Sequence, residues 1–169
     1  MSSPFSGNVT ADTGYTSTNN FEARSLFNPA TGTQSGAHIA YDGNPTVTNP
    51  GVVDPNATID KICTVGYTKT VRHVTEAMKK KIFDFYVIDP DSDKFEVDHL
   101  ISLELGGSND IKNLWPESYT TTPYNARDKD VLENKLHKMV CDGEITLIKA
   151  QTEIAKDWIK AHQDYIQQH

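Results

Sequence analysis

Long apolar runs are missing from this 169-residue chain. None approaches the roughly 20 residues needed to cross a bilayer, so no membrane partner is expected. A leader signature is missing too: Met1-Ser-Ser-Pro-Phe-Ser-Gly7 has neither a basic start nor an apolar stretch. Basic residues are in short supply, 16 Lys and Arg standing against 23 Asp and Glu for a formal net charge of -7. That deficit speaks against broad electrostatic binding to a phosphate backbone. It does not exclude a compact site in which a metal cation supplies the positive charge. Cysteine is scarce, with only Cys63 and Cys141. Composition leaves them open between two buried thiols and one disulfide closing a long loop.

What is present divides near residue 56. Residues 1–55 are rich in Ser, Thr, Asn, Gly and Pro, contain Arg24 as their one basic residue, and show no sustained apolar period. They read as a flexible or irregular N-terminal extension, suited to docking on a protein partner, with room for a short ordered patch around Phe21–Phe27. Asn8-Val-Thr10 and Asn56-Ala-Thr58 match the glycosylation acceptor triplet, which matters only in a eukaryotic secretory route. Residues 56–169 read as one globular domain; over the whole chain, 37% hydrophobic residues and a mean hydropathy of -0.53 suit a modest core beside exposed length.

Within that domain, Thr75 can cap a helix over Glu76–Tyr86 that buries Met78, Ile82, Phe83 and Phe85. Phe95-Glu-Val-Asp-His99 alternates as a half-buried strand does, and Asn113-Leu-Trp-Pro116 reads as a second extended piece across a Gly106-Gly107 loop. A helix follows from about Tyr124 to Met139, with Val131, Leu132, Leu136 and Met139 inward, and stops by Asp142-Gly143. The last helix spans about Thr146–Tyr165, its apolar stripe being Leu147, Ile148, Ala150, Ile154, Trp158 and Ile159. Ile88–Asp93 has the alternating aspartates of a calcium loop, but Lys94 and Leu100 stand where such a loop needs glycine and glutamate. It reads as a solvated turn.

The chemistry concentrates at Asp98-His99. On a strand these neighbours point to opposite faces, and amid Val97, Leu100 and Ile101 they cannot both lie in water, so each needs a partner. Alone, the dipeptide fits a satisfied core histidine beside a turn aspartate. The run Glu96-Val-Asp-His-Leu-Ile-Ser-Leu-Glu-Leu-Gly-Gly-Ser-Asn-Asp-Ile-Lys-Asn-Leu-Trp-Pro116 changes that, because it resembles the HNH endonuclease family. Cys63-Thr-Val-Gly-Tyr-Thr68, Lys129-Asp-Val-Leu-Glu-Asn-Lys-Leu-His137 and Val140-Cys-Asp-Gly143 are similar to a bacterial and phage subgroup, which extends the resemblance over most of residues 60–160.

The resemblance implies an α+β fold with a ββα-metal core, flanked by N-terminal and C-terminal helices, and a Cys63–Cys141 disulfide. It implies a metal-dependent endonuclease that hydrolyses phosphodiesters, DNA before RNA, and the lack of a recognisable base-reading motif points to little sequence specificity. His99 would be the general base, Asp98 a carboxylate ligand for magnesium or manganese, and Asn113 the residue that holds the loop and aims the base. The chain departs from the family where the usual helix histidine is replaced by Asn125. An amide oxygen suits magnesium better than zinc, and the same residue also suits an N-cap.

Asn125, Lys129, Glu133 and His137 share a slowly drifting helix face. Lys129 is placed to touch the scissile phosphate, with Arg127 as a second candidate. For Glu133 and His137 the simpler reading is a solvated face with a Lys129–Glu133 ion pair. Lys79-Lys80-Lys81 is the best local candidate for contact with a nucleic-acid backbone. His38, His73, His162 and His169 form no ligand set of recognisable spacing. An extracellular or virion-associated location is expected, a cytoplasmic one staying open. Two rivals remain: a catalytically inactive nuclease-like structural or virion-associated protein docking through residues 1–55, and a secreted toxin or nutritional nuclease.

Overall fold

Tertiary contact, more than helix propensity, explains the first elements of the computed structural model, which describes residues 51–86, 88–89 and 93–167. Helices α1 (Ile59–Ile62) and α2 (Tyr67–Val71) are too short to be stable alone. They are anchored by the buried Ile62 and by the Cys63–Cys141 disulfide, Cα–Cα 5.7 Å. Helix α3 spans Glu76–Tyr86, with Thr75 Oγ1 accepting the Met78 N–H at 3.2 Å. It buries Ile82, Phe83, Phe85 and Tyr86.

Strands β1 (Phe95–His99) and β2 (Leu114–Ser118) form a two-stranded antiparallel sheet in which Asp98 pairs with Trp115 and His99 with Leu114. Helix α4 (Ala126–Cys141) follows, then α5 (Leu147–His162) and a final π turn over Gln163–Gln167. The architecture is therefore α+β, as expected. Among the described residues no helix is long and apolar enough to cross a membrane.

Helices α4 and α5 meet through Leu132, Leu136, Ala150, Ile154 and Trp158, all essentially inaccessible. Two residues expected inward are outside: Val131 is 49% exposed and Ile148 75%. The buried face of α4 follows 126, 129, 132, 133, 136 and 140, which turns Val131 outward by one position. That of α5 follows 150, 154, 158 and 161, and Ile148 lies across the axis from it. Helix α5 breaks at Asp157 (φ -166°, ψ 92°), whose Oδ1 accepts the Lys160 N–H at 3.0 Å and so caps the second segment.

The domain begins earlier than composition suggests. Residues 51–54, grouped by composition with the extension, are pinned to the inter-strand loop: Ser108 N–H donates to Val52 O, and Asp54 N–H to Gly106 O, both at 2.8 Å. Phe21–Phe27, Asn8 and His38 lie outside the described residues, as do parts of the aspartate-rich turn.

Candidate active site

The loop between the strands sets the site. Asn113 is fully buried and works as a clamp: its Oδ1 accepts the Ile101 N–H at 2.9 Å and the Val52 N–H at 3.3 Å. Its Nδ2 donates to Ile101 O at 3.0 Å and Ser108 O at 2.9 Å. One amide thus satisfies three loop segments that would otherwise bury bare backbone groups. The loop closes this tightly because Gly107 has no side chain. A Cβ there would stand 1.7 Å from Ile101 O. The loop-holding role expected of Asn113 is what the geometry displays. Aiming the histidine falls to another residue.

That residue is Asn109. Its Nδ2 donates to Val71 O at 2.8 Å and its Oδ1 accepts the His73 N–H at 2.9 Å, which orients the amide. The same Oδ1 lies 3.1 Å from His99 Nε2. An oxygen there can only accept, so Nε2 carries the proton and Nδ1 is left with its lone pair. Nδ1 is buried and has no hydrogen-bond partner among the described residues. Burial pushes the imidazole below its ordinary pKa, against the opposing pull of Asp98. His99 is therefore a neutral ring, 1% exposed, with one nitrogen committed and the other bare.

Alternation and register put Glu96, Asp98, Trp115 and Glu117 on the other face of the hairpin. Helix α4 lies against this face and sends in Lys129, whose side chain is wholly buried. Its Nζ donates to Asp98 Oδ2 at 2.6 Å, to His99 O at 2.9 Å, and to Glu133 Oε1. An ammonium has three protons, so none is left for a phosphate. Lys129 is a buried counter-charge rather than a substrate contact. The Lys129–Glu133 ion pair expected on a solvated face exists, but inside the protein.

Three carboxylates surround that one ammonium. Burial opposes ionisation of Asp98, yet the charge and hydrogen bond of Lys129 outweigh it and hold the carboxyl below its ordinary pKa. Burial likewise works against Lys129, and Asp98, Glu133 and Glu117 together hold its ammonium well above the usual lysine value. Burial raises Glu133 to about 7 despite Lys129. Burial raises Glu117 well above the carboxylate range, helped by the charges of Asp98 and Glu133 and by a hydrogen bond to Asp98. Glu117 Oε1 is buried with no partner among the described residues. With all three acids ionised the cluster would carry two negative charges in excess. The upward shifts of Glu117 and Glu133 relieve that excess by favouring their protonated forms.

Asn125 serves as the N-cap of α4. Its Oδ1 accepts the Arg127 N–H at 3.0 Å and its own N–H donates to Asp128 Oδ2 at 3.0 Å, completing a capping box. Its hydrogen bonds thus run to the helix end rather than to Asp98. Arg127 is exposed. Lys79 and Lys80 are tied to Glu76 and Asp84 on the surface. Arg72, exposed and close enough to His99 to oppose its protonation, is a cation beside the site that sequence did not single out. Asn109 and Glu117 were also missed. The only signals for them were a polar residue in a glycine loop and the continued alternation of β2.

No family model, curated protein or solved structure matches this chain.

Proposed function

We propose that this domain is an HNH-like ββα-metal nuclease, hydrolysing phosphodiester bonds of DNA, and secondarily RNA, with little sequence preference. One observation carries the reading. Asn109 fixes the tautomer of His99 that leaves Nδ1 bare, one residue from Asp98 and the buried acid cluster around Lys129. Such a ring takes a proton from an attacking water.

The donor set suits a hard divalent cation. Magnesium keeps several waters and needs only one or two carboxylates from the protein. Asp98 and Glu117, hydrogen-bonded to each other, would hold it, and its charge would favour the ionised form of Glu117, which burial disfavours. Bound there, magnesium or manganese would stabilise negative charge on the phosphate and on the leaving oxygen. Lys129 sets the position of Asp98 through Oδ2 and of His99 through its backbone carbonyl. Asn113 keeps the loop closed, and Arg72 supplies a cation for a substrate phosphate. Asn125 caps the helix that delivers Lys129. With no base-reading element among the described residues, affinity rests on phosphate contacts. The disulfide suits an extracellular or virion-associated setting.

A second reading is favoured by the 1% exposure of His99 and by the commitment of Asp98 Oδ2 to Lys129. It is a catalytically silent nuclease-like domain that docks through residues 1–55. Incubation with plasmid DNA and with a structured RNA, in magnesium, manganese or EDTA, separates the two. Cutting that needs the metal supports the nuclease. An intact substrate under every condition supports the silent domain.

A further inference from the structure

A second cluster of chemistry-bearing side chains lies apart from the active site, at the far end of α4. His137 and Cys141 are four residues apart on the helix, and the disulfide brings Cys63 to them. His137 Nε2 lies 3.4 Å from Cys141 Sγ. The three ligand atoms fall within 4.8 Å of one another. Cys141 is exposed, while Cys63 and His137 are half-buried. The cluster is thus reachable by a reductant and by an ion.

We propose that this is a redox-gated zinc site: reduction of the Cys63–Cys141 disulfide turns the staple into a Cys₂His ligand set for one Zn²⁺. The chemistry balances in two steps. A dithiol reductant gives two electrons and two protons to the disulfide, yielding two cysteine thiols and a cyclic disulfide of the reductant. Zn²⁺ then displaces the two thiol protons and binds both thiolates and the His137 ring, with water as fourth ligand.

The dimensions agree. Tetrahedral zinc with bonds of about 2.3 Å to sulfur and about 2.0 Å to nitrogen separates N from S by about 3.5 Å, and S from S by about 3.8 Å. The His137–Cys141 separation of 3.4 Å is already close to the first value. Only the Cys63 sulfur has to withdraw, and it sits at the end of the four-residue α1. His137 Nε2 at present donates to Ile62 O at 3.0 Å, and binding exchanges that hydrogen bond for the metal, the ring proton moving from Nε2 to Nδ1. Thiolate and imidazole ligands select zinc over magnesium, which separates this site from the oxygen-lined cluster around Asp98. Either way, α1 stays tied to the C-terminal end of α4.

The test uses the full chain, purified with its disulfide intact, then reduced with a phosphine and titrated with Co²⁺ and Zn²⁺. One Co²⁺ per reduced chain is expected, with thiolate-to-cobalt charge transfer and tetrahedral visible bands, both erased by one equivalent of Zn²⁺. The oxidised protein should show neither band. His137→Ala should fold and oxidise with its staple in place, because the disulfide does not involve the imidazole. After reduction it should bind Zn²⁺ at least about tenfold more weakly, as loss of a ligand costs no less than loss of a supporting group. A reduced protein without the cobalt–thiolate band overturns the proposal, and so does a His137→Ala variant that binds Zn²⁺ as tightly as the parent.

Discussion

Replacing Glu133 by glutamine should flatten the pH dependence of stability. Glu133 is buried against Lys129, and burial raises it to about 7 in the folded protein from an ordinary 4.5. Between those values the folded chain keeps a proton that the unfolded chain releases. Stability therefore falls as pH rises from about 4.5 to about 7, and the penalty is complete above that window. A shift of this size corresponds to about 3 kcal/mol, an upper value because Asp98 and Glu117 titrate with the same ammonium. Glutamine cannot titrate, and Lys129 keeps Asp98 and the His99 carbonyl as acceptors. Urea unfolding of both proteins, in EDTA with the disulfide intact, from about pH 5 to pH 8 reads the difference. The variant should gain on the wild type with rising pH, by no more than about 3 kcal/mol. Parallel curves across the window would refute the buried acid cluster as described.

Other outcomes follow from the same geometry. Asn109→Ala removes the acceptor that fixes the His99 tautomer, so nitrogen-15 NMR of the ring should show mixed tautomers where the wild type shows a proton on Nε2. A single Nε2–H form in the variant would contradict that role. Removing the disulfide in metal-free buffer should cost about 4.5 kcal/mol from the loop entropy of a 78-residue separation, and calorimetry that finds no loss would count against the staple. Trp158→Ala empties the α4–α5 interface and should cost about 3–5 kcal/mol by chemical denaturation. Magnesium should raise Tm more near pH 8 than near pH 5, because it favours the ionised acids. An equal rise at both would place the ion elsewhere.

The parts of the fold legible in the sequence are those with strong local patterns. Helix α3 lies where the apolar spacing after Thr75 puts it. Strand β1 and the glycine loop follow from alternation and punctuation, and α4 begins two residues past the expected start, at the capping box. Other features depend on partners distant in sequence. Helices α1 and α2 have too few residues to show a period. Lys129 and Glu133 read as a surface ion pair because nothing local says that a lysine lies at the centre of a core. Glu117 falls where polarity suggests a loop, yet β2 carries it inward opposite Glu96.

The same limit applies to the candidate site. Asp98 and His99 stand out by composition and spacing, and Asn113 by its place after the glycines. The Asn109 contact links residues 10 apart on the chain and depends on the backbone around Val71 and His73, which no sequence window contains. Asn125 had two readings in the sequence, and the capping hydrogen bonds are the ones the fold displays.

The most direct test of the central claim is chemical rescue at His99. Plasmid nicking in magnesium would be measured for the wild type and for His99→Gly, with and without added imidazole. Loss of nicking in the variant, with partial recovery in imidazole and none in EDTA, is the predicted result. A His99→Gly protein that folds and still nicks DNA at the wild-type rate would contradict the assignment of His99 as the base.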